Sequence, residues 1–348
     1  MSNVKNFNVA VIGASGNVGR EVLKILEERE FPYKNVFALA SKNSAGKKIS
    51  MSIEKQIEIQ ELDSFDFEKN EVDIAFLCAG NDVSKQYAEK LAKMGIIVID
   101  KGSLYRLDKN VPLVVPEVNS NVLDNFSSGI IATPNCTTIP LVCCLKPLDE
   151  KYKVKRVVLT TFQAVSGSGK KAMDELYNQT KGYYEAEIQH IESDNLKGKV
   201  YPKQIAFNCI PQCDSFSHDG FTKEEDKMIN ETEKILGKKI SMSATCVRVP
   251  VFRCHAESVN IEFENEFDIE ELIEYLRDID PIVVMDRQED GGYAVQCESV
   301  DTDCVFVSRI RRDFSVKNGI NFWLVCDNLR KGAALNGVQI AEYLIQNM

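Results

Sequence analysis

Cys136 sits in the string Thr133-Pro134-Asn135-Cys136-Thr137-Thr138, directly ahead of the apolar run Leu141-Val142-Cys143-Cys144-Leu145. A strand ending before it and a helix starting after it would set its sulfur near unpaired backbone N–H groups. Such groups lower a thiol pKa and favour the nucleophilic thiolate. Cysteine is otherwise mostly buried and inert, and Cys78, Cys143 and Cys144, inside apolar runs, read as core. For Cys136 the two readings, core thiol and nucleophile, stand level. A nucleophilic thiol wants a partner for proton transfer, and histidine suits neutral pH. The chain has three, of which His190 and His218 lie in polar, exposed-looking stretches. His255 lies between two strand-like segments, seven residues after Arg248, whose guanidinium fork suits a substrate carboxylate. A purely structural histidine is the equal alternative.

A second constellation is Gly13-Ala14-Ser15-Gly16-Asn17-Val18-Gly19, between an apolar β-branched run (7 to 13) and a helical pattern. Glycines let the backbone turn tightly against a pyrophosphate, and the helix start supplies N–H groups and a positive dipole end. The spacing is G-x-x-G-x-x-G, less common than G-x-G-x-x-G, but the strand–turn–helix context is the required one. The next strand ends in Ala40-Ser41-Lys42-Asn43-Ser44, with lysines following and no acid to accept from a ribose 2′-OH. That segment favours the 2′-phosphate of NADP; a plain basic loop is the alternative. Gln163 and the small-residue loop Ser166-Gly167-Ser168-Gly169 form a ligand-approach loop or a turn. Thr222 with Glu225 fits a capping box, while Glu224 and Lys227, three apart, read most simply as a surface ion pair.

These residues need elements to hold them. Short apolar runs at 36 to 40, 74 to 78, 96 to 99 and 130 to 132, with helical stretches such as 84 to 94 between, predict an α/β first domain. It is a Rossmann-type, doubly wound parallel sheet. After about residue 150, strand-like segments at 157 to 162, 243 to 249, 258 to 263, 305 to 310 and 322 to 325 predict a second α+β domain. Helical patterns fall at 222 to 236 and 269 to 278, and residues 170 to 200 read as polar and irregular. The division expected is 1–134, 135–327 and a returning C-terminal helix in 328–348. The chain of 348 residues carries 42 basic and 52 acidic side chains, a net charge of −10, which argues against nucleic acid as partner. No apolar run has the ~20 residues of a membrane span. Eleven scattered cysteines without C-x-x-C spacing exclude the usual zinc and thioredoxin patterns and point to a reducing cytoplasm; no metal is expected.

In combination these strings resemble aspartate-β-semialdehyde dehydrogenase along nearly the whole chain. Val11-Ile-Gly-Ala-Ser-Gly-Asn-Val-Gly, Leu39-Ala-Ser-Lys-Asn-Ser-Ala-Gly-Lys and Val111-Pro-Leu-Val-Val-Pro-Glu-Val-Asn carry it in the first domain. Pro134-Asn-Cys-Thr-Thr-Ile, Phe162-Gln-Ala-Val-Ser-Gly, Cys246-Val-Arg-Val-Pro-Val and Asp327-Asn-Leu-Arg-Lys-Gly-Ala-Ala carry it in the second. The resemblance implies Cys136 as nucleophile, His255 as acid/base, and Asn135 and Gln163 as positioning groups. It implies Arg248 for the substrate carboxylate, Glu224 for its ammonium, and Arg106 with Lys227 for acyl phosphate or inorganic phosphate. Cofactor contacts fall on Gly13, Ser15, Gly16, Asn17, Val18, Ser41, Asn43, Ser44, Ser166, Gly167 and Asn328. The implied protein is a homodimer or a dimer of dimers whose second domain is both catalytic and dimer-forming.

Two positions depart from the family pattern. Asn43 stands where many members grip the 2′-phosphate with arginine, which leaves NAD use open beside NADP. Asp100-Lys101-Gly102-Ser103 replaces the usual Asp-Asn-Ser/Thr-Ser ahead of Arg106. The nearest rival is N-acetyl-γ-glutamyl-phosphate reductase, whose acylated amine would gain nothing from an acid at Glu224. A non-catalytic dinucleotide sensor leaves Cys136, His255 and Arg248 unexplained.

Overall fold

The computed structural model describes residues 6–124, 126, 129–185 and 198–347. It divides into two compact units, 1–135 with 332–348, and 136–331. The return to the first unit therefore begins at residue 332, because Asp327 and Asn328 are hydrogen-bonded within the second.

In the first unit the chain runs β1 (Phe7–Ile12), α1 (Asn17–Glu28), β2 (Tyr33–Ala40), β3 (Lys48–Ser50), β4 (Gln56–Glu61), β5 (Ile74–Leu77) and α2 (Asn81–Lys93). It continues through β6 (Ile97–Asp100), the short α3 (Pro116–Asn119) and β7 (Gly129–Ala132). The sheet order is β3-β4-β2-β1-β5-β6-β7. Strand alternation splits the core: Val9 and Val11 pack with α1, while Ala10 and Ile12 pack with Ala88 and Leu91 of α2. That is the doubly wound arrangement, with one difference from expectation. β3 pairs antiparallel with β4, so the sheet is mixed rather than wholly parallel. Both strands are short and largely solvent-facing, so they show no apolar run to find.

The second unit holds α4 (Thr138–Tyr152), β8 (Val154–Gln163), α5 (Lys170–Glu185), α6 (Lys223–Leu236), β9 (Ser241–Arg248) and β10 (His255–Phe263). Then come α7 (Ile269–Arg277), β11 (Ile282–Val284), β12 (Val305–Asp313) and β13 (Gly319–Cys326). The mixed sheet has the order β11-β12-β13-β10-β8-β9. Against the irregular reading of residues 170 to 200, α5 is a sixteen-residue helix. Its Ala172 and Leu176 pack with Val165, Ile205 and Ile210; the long polar stretches between those few apolar positions hid the period. His190 lies outside the described residues. α8 (Leu335–Gln346) returns to the first unit and buries Leu335, Val338 and Ala341 against the α1 side of its sheet.

The capping box is formed: Glu225 N–H donates to Thr222 Oγ1 and Thr222 N–H to Glu225 Oε2. A further backbone group, Cys246 N–H, donates to Glu225 Oε1 at 3.0 Å, tying the start of α6 to β9.

Candidate active site

Three strand ends of the second unit lie side by side. Gln163 closes β8 beside Arg248, which closes β9 in parallel register. His255 opens β10 opposite Cys326 of β13, one step before the Ala256–Phe162 pair. All three side chains are buried, although each is polar. Buried polar groups need partners, and the partners define the site.

Glu224, in the first turn of α6, accepts from Gln163 Nε2 at 3.0 Å and pairs with Lys227 Nζ at 3.0 Å. The pair read as a surface feature is thus drawn inward, and Glu224 is only 9% exposed. Helical spacing correctly put 224 and 227 on one face; it carried no sign of Gln163 beneath them. Lys227 Nζ also meets Asp214 Oδ2 at 2.7 Å, a residue with no motif to announce it. The Lys227 ammonium holds the Asp214 carboxyl below its ordinary range.

The loop after β8 is stitched to the segment after β9. Val165 N–H donates to Val251 and Ser166 N–H to Phe252. Ala164 is the hinge of this stitch: its carbonyl accepts from Arg248 Nη1 at 2.7 Å and its N–H donates to His255 Nδ1 at 3.0 Å. Gly167 follows, and a Cβ there would stand 3.2 Å from both Arg248 Nη1 and His255 Nε2. The Arg248 guanidinium also lies over the Tyr201 ring, 5.9 Å from its centroid. Burial, with Arg248 nearby, pushes His255 down to about 3, and the opposing pull of Glu224 is weaker.

Among the described residues, three buried polar atoms here have no protein partner: Gln163 Oε1, Arg248 Nε and His255 Nε2. One acceptor and two donors left open in a dry cluster mark a ligand site.

Cys136 begins this unit, two residues before α4, and is half-buried. Thr137 at the N-cap gives no side-chain cap to the helix; its hydroxyl goes to Met228 Sδ instead. Cys136 interacts electrostatically with Cys213, which also feels Arg248 and Glu224, so these groups share one neighbourhood. Cys213 is buried and its thiol is pushed up to about 12, as expected of an inert neighbour. Cys143 and Cys144 are core, as read, and Cys78, just past β5, is partly buried against the core of the first unit. His218 is exposed and stands outside the cluster.

Asn328 was expected at the cofactor. Its Oδ1 accepts from Cys254 N–H at 2.9 Å and its amide hydrogen-bonds Ser166 Oγ at 3.0 Å. This side chain braces the 164–168 loop, and Cys254 is held there at φ 71°.

The first unit carries its own expected residues. Gly13 has φ +89°, and a Cβ on it would come 2.8 Å from the Cys78 carbonyl. A Cβ on Gly19 would collide with the Gly13 carbonyl oxygen and approach Ala14 Cα to 2.8 Å. These glycines let β1 turn directly into α1, whose first turn has no acid and no side-chain cap. Backbone N–H groups at Ser15 to Val18 therefore fit a pyrophosphate. After β2, Ser41, Lys42 and Asn43 are exposed and Ser44 half-buried, with no acid among them. Arg106 is buried and donates to the Lys101 carbonyl at 2.9 Å. Asn135, also buried, is the last residue before the second unit. Gly102 has a steric reason: a Cβ would press to 2.5 Å from Ser84 Oγ. Its N–H also donates to the buried Asp100 carboxylate at 2.8 Å. Among the described residues no cluster of three His, Cys, Asp or Glu could hold a metal ion. None of their helices is long and apolar enough to cross a membrane.

Gly19→Ala is expected to weaken dinucleotide binding by at least about tenfold, since the helix N-terminus must move off the turn. Titration of NADPH fluorescence measures this, and unchanged affinity would contradict the assigned role of the turn.

Two family models match the chain: semialdehyde dehydrogenase, NAD binding domain, over residues 8–126, and semialdehyde dehydrogenase, dimerisation domain, over 145–331. The aspartate-semialdehyde dehydrogenase of Rickettsia conorii is 51% identical over 344 residues, 99% of each chain. The chain belongs to the aspartate-semialdehyde dehydrogenase family. Among solved structures, aspartate semialdehyde dehydrogenase II of Vibrio cholerae, complexed with ASA, matches with TM-score 0.91 and 42% identity. It covers 98% of this chain and 99% of its own. The aspartate semialdehyde dehydrogenase of Candida albicans, solved with NADP, matches at TM-score 0.73 and 25% identity over 99% of this chain and all of its own. The semialdehyde dehydrogenase domains establish an oxidoreductase with a nicotinamide cofactor, and the dimerisation domain indicates a homo-oligomer.

Proposed function

We propose that the protein catalyses the reversible, NADP-dependent reductive dephosphorylation of L-aspartyl 4-phosphate to L-aspartate 4-semialdehyde, through a thioester on Cys136. The reaction serves lysine, threonine and methionine biosynthesis. The observation that carries the reading is the open trio of Gln163 Oε1, Arg248 Nε and His255 Nε2 beside the buried Glu224. A guanidinium for a carboxylate and an acid for an ammonium are what an α-amino acid needs. The Vibrio cholerae relative complexed with ASA and the Candida albicans relative solved with NADP support the substrate and the cofactor.

Cys136, ahead of α4, attacks the acyl carbon, and phosphate departs. Lys227 and Arg106 are assigned to the phosphate, each stabilising the developing charge. NADP in its reduced form supplies hydride at the thioester carbon. Gln163, fixed by Glu224, and Asn135 orient the acyl group. His255 occupies the acid/base position beside the acyl oxygen. Ser15 to Val18, Ser41, Asn43 and Ser44 are assigned to the dinucleotide, as are Ser166 and Gly167. The assembly is a homodimer or a dimer of dimers.

The test supplies L-aspartate semialdehyde, phosphate and either NADP or NAD, and follows reduced nicotinamide by absorbance. Phosphate-dependent reduction, faster with NADP, is expected. No rate with either cofactor would refute the reaction, and a faster rate with NAD would refute the preference read from residues 41 to 44.

A further inference from the structure

We infer that Asp214 is a positioning residue for the substrate: by sharing Lys227 with Glu224 it keeps negative charge on Glu224 for the substrate ammonium, at the expense of phosphate affinity. The inference rests on the proposed reaction and adds to it a residue that no string in the sequence announces.

Lys227 Nζ stands 2.7 Å from Asp214 Oδ2 and 3.0 Å from Glu224 Oε2. One ammonium between two carboxylates leaves the trio with negative charge in excess, an odd setting for a lysine assigned to phosphate. Were Glu224 its only carboxylate, the pair would be neutral, and an incoming ammonium would have to break a full ion pair to reach the acid. Asp214 draws part of the Lys227 field onto itself. Glu224 then keeps charge for a second cation, while Gln163 Nε2 fixes its other oxygen, Oε1, at 3.0 Å. An ammonium has three N–H donors; two go to these carboxylates, and one is left for an oxyanion. Burial works against the Lys227 charge, but Glu224 and Asp214 outweigh it and hold the lysine above its ordinary value. Side-chain exposure rises from 12% at Glu224 through 23% at Lys227 to 38% at Asp214. Asp214 therefore stands on the solvent side of the lysine and acts on the ligand through it.

The backbone is built to deliver this carboxylate. Asp214 has φ 67°, in the left-handed region that Asp and Asn tolerate better than most side chains. Its Oδ1 accepts from Ser215 N–H at 2.7 Å, which leaves Oδ2 to Lys227. Ahead of it, Ile210 N–H donates to the Arg248 carbonyl at 2.9 Å, and Arg248 N–H returns to the Ile210 carbonyl at 2.8 Å. Beyond it, Lys223 N–H donates to the Ser215 carbonyl at 2.9 Å, and Phe216 bridges Thr222. The 210–216 segment is thus fastened to the end of β9 and the start of α6, the elements that carry Arg248 and Glu224. Backbone groups make these fastenings, and an amide oxygen would serve Ser215 as well as a carboxylate does. The charge of Asp214 is needed for none of them; it acts on Lys227.

The test uses Asp214→Asn, which keeps the size of the side chain, its tolerance of the left-handed φ and an acceptor for Ser215, and removes the charge. Full-length protein carrying Cys136→Ser, in which no chemistry follows binding, is titrated calorimetrically with inorganic phosphate and, separately, with L-aspartate semialdehyde. Adding Asp214→Asn should tighten phosphate and weaken the semialdehyde, each by about three- to tenfold, as the trio loses its excess negative charge. Opposite shifts are the signature of charge, because a loop that had merely come apart would weaken both ligands. Shifts in one direction, no shift, or no binding of either ligand overturns the inference. Asp214→Gly, which takes the positive φ without strain, removes the charge a second way and should move both constants in the same senses. Assays with Cys136 intact separate the two readings. Absence of phosphate-dependent turnover in the wild type refutes the reaction, while the titrations still decide the charge balance. Turnover with unmoved constants refutes the role of Asp214 alone.

Discussion

Cys136→Ser is expected to lower turnover by at least about ten-thousandfold, because a hydroxyl at neutral pH replaces the thiolate that must bond to carbon. Dinucleotide affinity should stay unchanged, since the glycine turn of 13 to 19 lies in the other unit. Single-turnover measurements sharpen the test: the variant should form no acyl-enzyme and release no phosphate in a burst. Cys213, which interacts electrostatically with Cys136, cannot stand in for it because its thiol stays protonated well above neutral pH. Near-normal activity in Cys136→Ser would end the thioester mechanism.

Glu257→Gln is expected to stabilise the protein at neutral pH. Glu257 is on the central strand β10, fully buried, with both carboxyl oxygens lacking a partner among the described residues. Its register neighbours are Thr161 and Leu324, and it acts electrostatically on the Cys144 thiol of α4. Burial alone, with no cation to oppose it, raises the carboxyl well above 4.5. The native state therefore keeps a proton that the unfolded chain releases. Stability is greatest below the unfolded value and falls as pH rises through 4.5 towards the folded value. Within that interval each pH unit costs about 1.4 kcal/mol. Glutamine has the same shape without the charge, so its gain should be larger at pH 7 than at pH 5. Thermal unfolding at the two pH values measures the difference; an equal gain at both would show that the carboxyl is not the cause. His255 works from the acid side: its folded value near 3 lies below the unfolded 6.5, so stability falls as pH drops through that interval.

The parts of this molecule visible in its sequence are those with a period or a required conformation. The runs that became β1, β5 and β6 are apolar on both faces because both faces are covered, and Gly13 and Gly19 are dictated by backbone collisions. The edge strands β3 and β4 escaped notice because half their surface faces water. In the site, Cys136, Arg248 and His255 are suggested by type and local context, and the family strings decide between the readings left open. Glu224 could not be placed by spacing alone, since its burial depends on Gln163, sixty-one residues earlier. Asp214 and the Ala164 backbone have no side-chain signature at all; each matters through a partner that only the folded chain brings near.

Ala164 also constrains how this enzyme family can change. Its carbonyl anchors the guanidinium proposed to read the substrate, and its N–H bonds the ring proposed to serve the reaction. Recognition and chemistry are geared through one residue only three bonds long. A lineage that shifted Arg248 to accept a longer acid would drag the imidazole with it. New specificity on this scaffold is therefore expected at the neighbouring ammonium position, around Glu224, leaving the Arg248 side as the fixed datum.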